Sequence, residues 1–303
     1  MKSSALLAEP ISEIVNVASV PQRSPFRYPG GKTWLIPQIR RWLSSLASKP
    51  SEFIEPFGGG AIVSLTVAAE NLAGHVTFVE LDDDVASVWQ TIISEGEGEW
   101  LARRIRSFDL TEESVHDVLS KNPKFMRERA FQTIVKNRVY HGGILAPGSG
   151  LIKHGENGKG LKSRWYPGTL SDRILAIDNL RHKISFVHGD GLKVLQQHSK
   201  RKSAVFFIDP PYTAGGKNAG KRLYQHWQLD HQYLFKAIDG LTGDFLITYD
   251  DAIELHQLSE KYFFETALVA MNNTHHAEMT ELLIGRDLGW LRNPEFRQDL
   301  KLF

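Results

Sequence analysis

The chain has 303 residues, of which 42% are hydrophobic and 23% charged, values close to those of globular domains and far from a disordered tract. That length suits one large domain, or a domain with an insertion, around a substantial core. Cysteine is absent, which excludes disulfides, thiolate metal sites and every mechanism with a cysteine nucleophile.

The net charge of +1 hides a local imbalance: between Lys121 and Lys183 there are thirteen Lys or Arg against four acids, a balance of +9, which leaves about −8 for the rest. Segregated charge of this kind suits a chain that presents one face to a polyanion.

In chain order, the first twenty residues, "MKSSALLAEPISEIVNVASV", are interrupted by Glu9, Pro10 and Glu13. They fit neither a signal peptide nor a membrane span and predict a loose arm on a cytoplasmic protein without a membrane partner. The stretch "SPFRYPGGKT" ends as a phosphate-binding P-loop does, but Phe26 stands where that motif needs glycine and no strand precedes it. "TWLIPQIRRWL" (33–43) has helical spacing, with Pro37 confined to its first turn.

"EFIEPFGGGAIVSLTVAAENL" predicts a short strand at Phe53 and Ile54, a glycine turn, and a helix from about Ala61 to Leu72. "HVTFVELDDDVASVWQTI" repeats the design with a strand through about Val79. Strand, glycine turn, helix and strand with a terminal acid form the first half of a doubly wound nucleotide-binding sheet. Gly58, Gly59 and Gly60 let the backbone approach a ligand closely. Glu80, 22 residues beyond Gly58, stands where a carboxylate accepts hydrogen bonds from ribose hydroxyls. The turn is not G-x-G-x-x-G, which disfavours NAD without settling the ligand.

From about Glu95 to Trp165 helical segments, clearest in "ERAFQTIVKNRVY", lead into the Gly-rich "HGGILAPGSGLIKHGENGKG". Alternation resumes with "ISFVHGDGLKVL", "AVFFIDPPY", "GDFLITYDD" and "YFFETALVAMNN", and "TELLIGR" can pair antiparallel with its predecessor. Six strands with intervening helices predict an α/β sheet. In "FFIDPPY" an apolar strand ends in Asp209, two prolines stiffen the turn, and Tyr212 follows at the ligand-binding edge of the sheet. The Asp209 carboxylate with the Pro210 carbonyl suits an exocyclic amino group, a double donor, and Tyr212 suits stacking on the ring that carries it.

These stretches resemble the Dam-like (D12 class) N6-adenine DNA methyltransferases: "FRYPGGK", "FIEPFGGGA", "FVELDDD" and "IDPPY" occur in the family's order. Looser echoes are "VKNRVYHGG", "FVHGD" and "TELLI". Ala61 stands where many members have Gly, and Glu80 where many have Asp.

The resemblance implies a Rossmann-like, mostly parallel S-adenosylmethionine-dependent methyltransferase sheet with an antiparallel last strand, over residues 1–95 and 168–303. A mainly helical DNA-recognition domain would be inserted at 96–167. Tyr28 and Lys32 would flank S-adenosylmethionine, Lys32 near its carboxylate. Phe57, Gly58, Gly59 and Gly60 would line the cofactor, Glu80 would hold its ribose, and Asp190 would reach its adenine amine, although an acid in that place also suits a helix cap. Asp209, Pro210, Pro211 and Tyr212 would hold the target base.

The expected activity is methyl transfer to N6 of an adenine flipped out of double-stranded DNA, without a covalent intermediate or a metal. N4-cytosine transfer uses the same chemistry, usually with Ser where Asp209 stands. Lys121, Lys124, Arg127, Arg129, Lys136 and Arg138 would neutralise phosphates, with Lys153, Lys159, Lys162 and Arg164 in a loop (141–165) that enters a groove. "TAGGKNAGKRLYQHW" would be a mobile loop ordered by DNA. The oligomeric state is not legible, a monomer being the starting expectation. An NAD-linked oxidoreductase leaves "DPPY" unexplained, and a non-catalytic DNA-binding protein leaves both ligand turns unexplained.

Overall fold

A computed structural model describes residues 19–155, 158–212, 229–272 and 278–292, side chains at 271–272 and 278–279 excepted. The stretch "TAGGKNAGKRLYQHW" and most of the N-terminal arm lie outside the described residues.

Seven strands form one sheet: β1 (Glu52–Glu55), β2 (His75–Glu80), β3 (Ile184–His188), β4 (Ala204–Ile208), β5 (Asp244–Asp250), β6 (Glu265–Asn272) and β7 (Glu278–Gly285), in the order β3-β2-β1-β4-β5-β7-β6. The first five are parallel, and β7 runs antiparallel between β5 and β6, with Ile284 opposite both Ile247 and Thr266. "TELLIGR" therefore pairs with its predecessor as expected and also inserts beside β5, bringing the six expected strands to seven. The chain steps outward from β1 through β2 to β3, then returns to β4 on the other side of β1. The crevice between β1 and β4 is thus the topological switch point where such sheets bind ligands.

Period-two alternation divides the core between the two faces. Phe53, Phe78, Val205, Phe207 and Leu246 pack on one side; Ile54, Val79, Phe206, Ile208 and Ile247 pack on the other. The first face is covered by α1 (Ile36–Ser45), α2 (Ile62–Ala69) and α3 (Asp83–Ile93), whose apolar residues share that core. The second is covered by α8 (Gly191–His198), α9 (His231–Asp239) and α10 (Ile253–Lys261). The helix expected over 33–43 starts as a 3₁₀ turn at Thr33–Leu35 and is α-helical from Ile36 on, with Pro37 in its first turn, where no amide donor is needed.

Between β2 and β3 the crossover is enlarged by α4 (Glu97–Arg106), α5 (Glu112–Ser120), α6 (Met126–Val139) and α7 (Pro167–Asn179). Their buried residues, among them Leu101, Ile105, Val115, Ile134 and Ile174, belong to the same cluster as Phe53 and Phe78. The enlargement is therefore fused to the sheet's own core. A capping box between Thr111 and Ser114 starts α5, and Asp82 starts α3 by accepting from the Asp84 and Val85 amides at 2.8 and 3.0 Å. No helix among the described residues is long and apolar enough to cross a membrane.

Candidate active site

A cavity of about 610 Å³ opens at the carboxyl edge of the sheet. The glycine turn forms its floor: Gly58 N donates to Val79 O at 2.8 Å, tying the turn after β1 to the neighbouring strand, and Ala61 N donates to Gly58 O at 2.6 Å. The Tyr28 ring lies directly on this turn. A Cβ on Gly59 or Gly60 would come within 2.6 or 2.8 Å of Tyr28, so glycine is required here by close approach as well as by the φ of +49° at Gly59. Ala61 adopts φ +50° and ψ +28°, the left-handed region that disfavours a side chain by about 1–2 kcal/mol. Its methyl is buried against the core, which offsets part of that strain.

The strands deliver a row of acids to the cavity: Glu55 ends β1, Glu80 ends β2, Asp209 follows β4 and Asp250 ends β5. Asp82 and Asp190 join them, and Lys32 is the one Lys or Arg among the described lining residues. Burial pushes the Glu55 carboxyl up to about 8, although the Ser64 amide donates to its Oε2 at 3.0 Å. Burial likewise pushes Glu80 up to about 7, opposed by the Leu81 and Asp82 amides, which donate to Oε1 at 2.7 and 2.8 Å. Asp190 is the N-cap of α8, accepting from the Leu192 amide at 2.9 Å, and also lines the cavity, so both readings of this acid hold geometrically.

Around Asp209 three donors converge on Oδ1: Thr248 Oγ1 at 2.8 Å, the Tyr212 hydroxyl at 3.0 Å and Lys32 Nζ at 3.1 Å. Among the described residues no hydrogen bond falls on Oδ2. Lys32 Nζ also lies 3.6 Å from Glu281 Oε2, 2.8 Å from the Gly30 carbonyl and 4.8 Å from the Tyr212 ring centroid. Burial alone would lower its pKa, but the Asp209 and Glu281 carboxylates outweigh that and raise it, so Lys32 stays charged.

Burial first, then the same two carboxylates, lift Tyr212 well above the ordinary phenol value. Its hydroxyl contacts Glu281 Oε2 at 2.9 Å as well as Asp209. One phenolic proton can serve only one of the two carboxyl groups at a time. Burial pushes the Glu281 carboxyl up to about 7, opposed by the Lys32 ammonium. The Tyr212 ring is stacked on Tyr249 at 5.1 Å, and the Tyr249 hydroxyl donates to the Pro211 carbonyl at 3.0 Å, holding the proline turn.

The cavity thus gathers every residue expected at the cofactor and the target base: Tyr28, Lys32, Phe57, Gly58, Gly59, Gly60, Glu80, Asp190, Asp209, Pro210, Pro211 and Tyr212. Two of them sit differently from expectation. Lys32 engages the chain's own carboxylates, because the Gly30–Gly31 turn, with Gly30 at φ +75°, aims it back at the end of β4. Tyr212 offers one ring face to Tyr249. Glu281, Thr248, Tyr249 and Glu55 are site residues that motif reading did not assign.

The expected phosphate contacts divide into groups. Lys121 pairs with Asp117 at 2.6 Å, Arg127 with Glu97 at 3.4 Å and Lys162 with Asp109 at 3.7 Å, all on the surface. Arg129 reaches Asp84 at 2.8 Å and Lys136 lies 4.0 Å from the same carboxylate, because α6 packs along α3 and meets its acidic first turn. Arg138 is buried and donates to the Pro25 carbonyl, unlike the surface cations of the same helix. Arg164 is half-buried, and Lys124, Lys153 and Lys159 are exposed without an ion pair among the described residues.

Residues 28–140 match the family model described as D12 class N6 adenine-specific DNA methyltransferase. Over that stretch, 113 of the 303 residues, the chain is similar to the D12 class of S-adenosylmethionine-dependent DNA adenine methyltransferases. No curated protein matches it. Among solved structures, similarity extends to a protein described as an RNA methyltransferase from Pyrococcus horikoshii (10% identity, 91% of this chain and 92% of that one, TM-score 0.37). It also extends to a precorrin-6Y C5,15-methyltransferase from Geobacter metallireducens GS-15 (11% identity, 86% and 92%, TM-score 0.33).

The cavity suits the cofactor that this class uses. Its floor is glycine backbone that a Cβ would fill, Glu80 lines it beside the turn, and the surplus of acids complements a ligand carrying a sulfonium and an ammonium.

Proposed function

We propose that the chain methylates N6 of an adenine flipped out of double-stranded DNA, with Asp209, Pro210, Pro211 and Tyr212 as the base site. The observation that carries this reading is Asp209 itself. Asp209 follows the central strand β4 and lines the cavity, three donors orient its carboxylate through Oδ1, and no hydrogen bond among the described residues falls on Oδ2.

S-adenosylmethionine, when bound, supplies a methyl group on a sulfonium that is already a good leaving group. Tyr28, Lys32, Phe57, Gly58, Gly59, Gly60, Glu80 and Asp190 would hold it. The chain's work is then alignment. Asp209 Oδ2 and the Pro210 carbonyl accept the two amine hydrogens, drawing the N6 lone pair out of conjugation with the ring. On transfer the sulfonium would give up its methyl and remain as a thioether, and the proton that N6 sheds would leave on the Asp209 side. A base within a duplex cannot reach this recess, so extrusion is required. Neither a covalent adduct nor a metal is needed, since the leaving group is already activated.

Residues 1–95 and 168–303 would carry this chemistry, and 96–167 would read the target, with Lys124, Lys153 and Lys159 the cations best placed for phosphates. Tritiated S-adenosylmethionine and unmethylated mixed-sequence DNA test the reading: label is expected in N6-methyladenine at one short site. Label in N4-methylcytosine, or DNA binding with no transfer, overturns it.

A further inference from the structure

A second cavity, of about 320 Å³, shares Tyr28, Gly31, Gly60 and Ile62 with the first. Its charge is opposite. Arg27, Arg138 and Arg173 line it, and among its described lining residues there is no carboxylate. Arg138 is buried with its Nε enclosed and without a partner. Its Nη2 donates to the Pro25 carbonyl, and Arg173 Nη1 donates to the Ser24 carbonyl at 3.1 Å. These bonds fix the guanidinium groups in place but neutralise neither. Burial pushes Arg138 down to about 9, and Arg173, Arg27 and Arg164 push it in the same direction. Burial lowers Arg27 and Arg173 as well. Uncompensated guanidinium groups crowded around one recess are unfavourable unless an anion completes them.

We propose that this arginine pocket takes a phosphate of the DNA backbone beside the target nucleotide. The inference rests on the DNA-methylation reading and adds to it where the backbone is held. Guanidinium forks match the oxygens of a phosphate. Because the pocket shares Tyr28, Gly31, Gly60 and Ile62 with the catalytic cavity, a phosphate seated there lies against the wall of that cavity. Rotating a nucleotide out of the stack displaces its own backbone, and a phosphate anchored against the Tyr28–Gly31 turn would hold that displaced geometry.

The test uses the full chain, the duplex whose methylation site sequencing reveals, and neutral methylphosphonates placed one at a time along the target strand. One position flanking the target adenine is expected to weaken wild-type binding about tenfold. Arg173→Gln should weaken the unmodified duplex by a similar factor, and the same methylphosphonate should then weaken it no further. Affinity for S-adenosylmethionine should be unchanged. Arg27→Gln and Arg138→Lys repeat the cycle should Arg173→Gln fold poorly. Additive losses at every position overturn the proposal, since a merely structural arginine shares no phosphate. Protection of wild type by orthophosphate against heat, lost in Arg173→Gln, with no sensitive backbone position, would assign the pocket to free phosphate and also overturn it. Absence of methyl transfer by wild type sinks the underlying reading instead, so the two failures are distinguishable.

Discussion

The two cavities that share Tyr28 are built from the same short stretch of chain and are opposite in sign. The larger one presents Glu55, Glu80, Asp82, Asp190, Asp209 and Asp250 around one ammonium, Lys32. The smaller one presents Arg27, Arg138 and Arg173 without a carboxylate among its described lining residues. A net charge of +1 conceals this division. The first suits a cationic donor and an amine nucleophile, the second an anionic backbone, and the Tyr28–Gly31 turn keeps them apart. In and beside the acidic cavity, burial raises the carboxyl pKa values of Glu55, Glu80 and Glu281. In the basic one no guanidinium can shed its proton at neutral pH, so the charge persists and calls for a ligand.

The largest effect that would break this contrast is at Asp209. Asp209→Ala should lower kcat by about a thousandfold or more while sparing S-adenosylmethionine affinity, measured by single-turnover transfer beside calorimetry. Retained turnover would remove Asp209 from the reaction. Next comes Lys32→Met, which strips the acidic cavity of its cation and leaves the buried Glu281 and the partly buried Asp209 uncompensated. A stability loss of about 3–5 kcal/mol and a fall in kcat larger than the change in cofactor affinity are expected. The opposite ratio would return Lys32 to the role of cofactor-carboxylate partner.

A pH series sharpens the same point. Glu55 is raised from 4.5 to about 8, so between those values the unfolded chain has lost a proton that the folded chain keeps. Stability therefore falls as pH rises from about 4.5 to about 8 and changes no further above that. Glu80 and Glu281 act in the same direction up to about 7. Glu55→Gln should flatten the fall in unfolding free energy with pH by an amount on the order of a few kcal/mol. An unchanged slope would place a charged Glu55 in the fold. The smallest effects belong to the exposed cations: Lys124→Ala, Lys153→Ala and Lys159→Ala should each reduce the salt slope of DNA binding by about 0.9 where a phosphate is touched. A slope unaltered in all three would move recognition to other surfaces.

Much of this protein was legible in the residues because its signals are local. Alternating apolar runs marked the strands, glycines marked the turn that Tyr28 covers, and acids or prolines at strand ends marked the ligand edge, since chain direction in a parallel sheet puts every carboxyl end on one side. The local cues were weaker where a residue serves a distant partner. "TELLI" carries an acid among apolar neighbours, yet nothing nearby in sequence says which end of the sheet it joins. Because β7 runs backwards between β5 and β6, Glu281 lies opposite Asp250 and reaches Lys32 and Tyr212. Composition likewise marked the basic segment without separating its members. Helix packing decided that Arg129 faces the acids of α3, that Arg138 is buried beside Arg173, and that Lys124 remains exposed. Sequence by itself determined the element types, the ligand edge and the family resemblance; the raised carboxyl pKa values, the placing of Lys32 and the sign of each cavity were decided by tertiary structure, because burial and charge pairing depend on neighbours that the chain brings together only on folding.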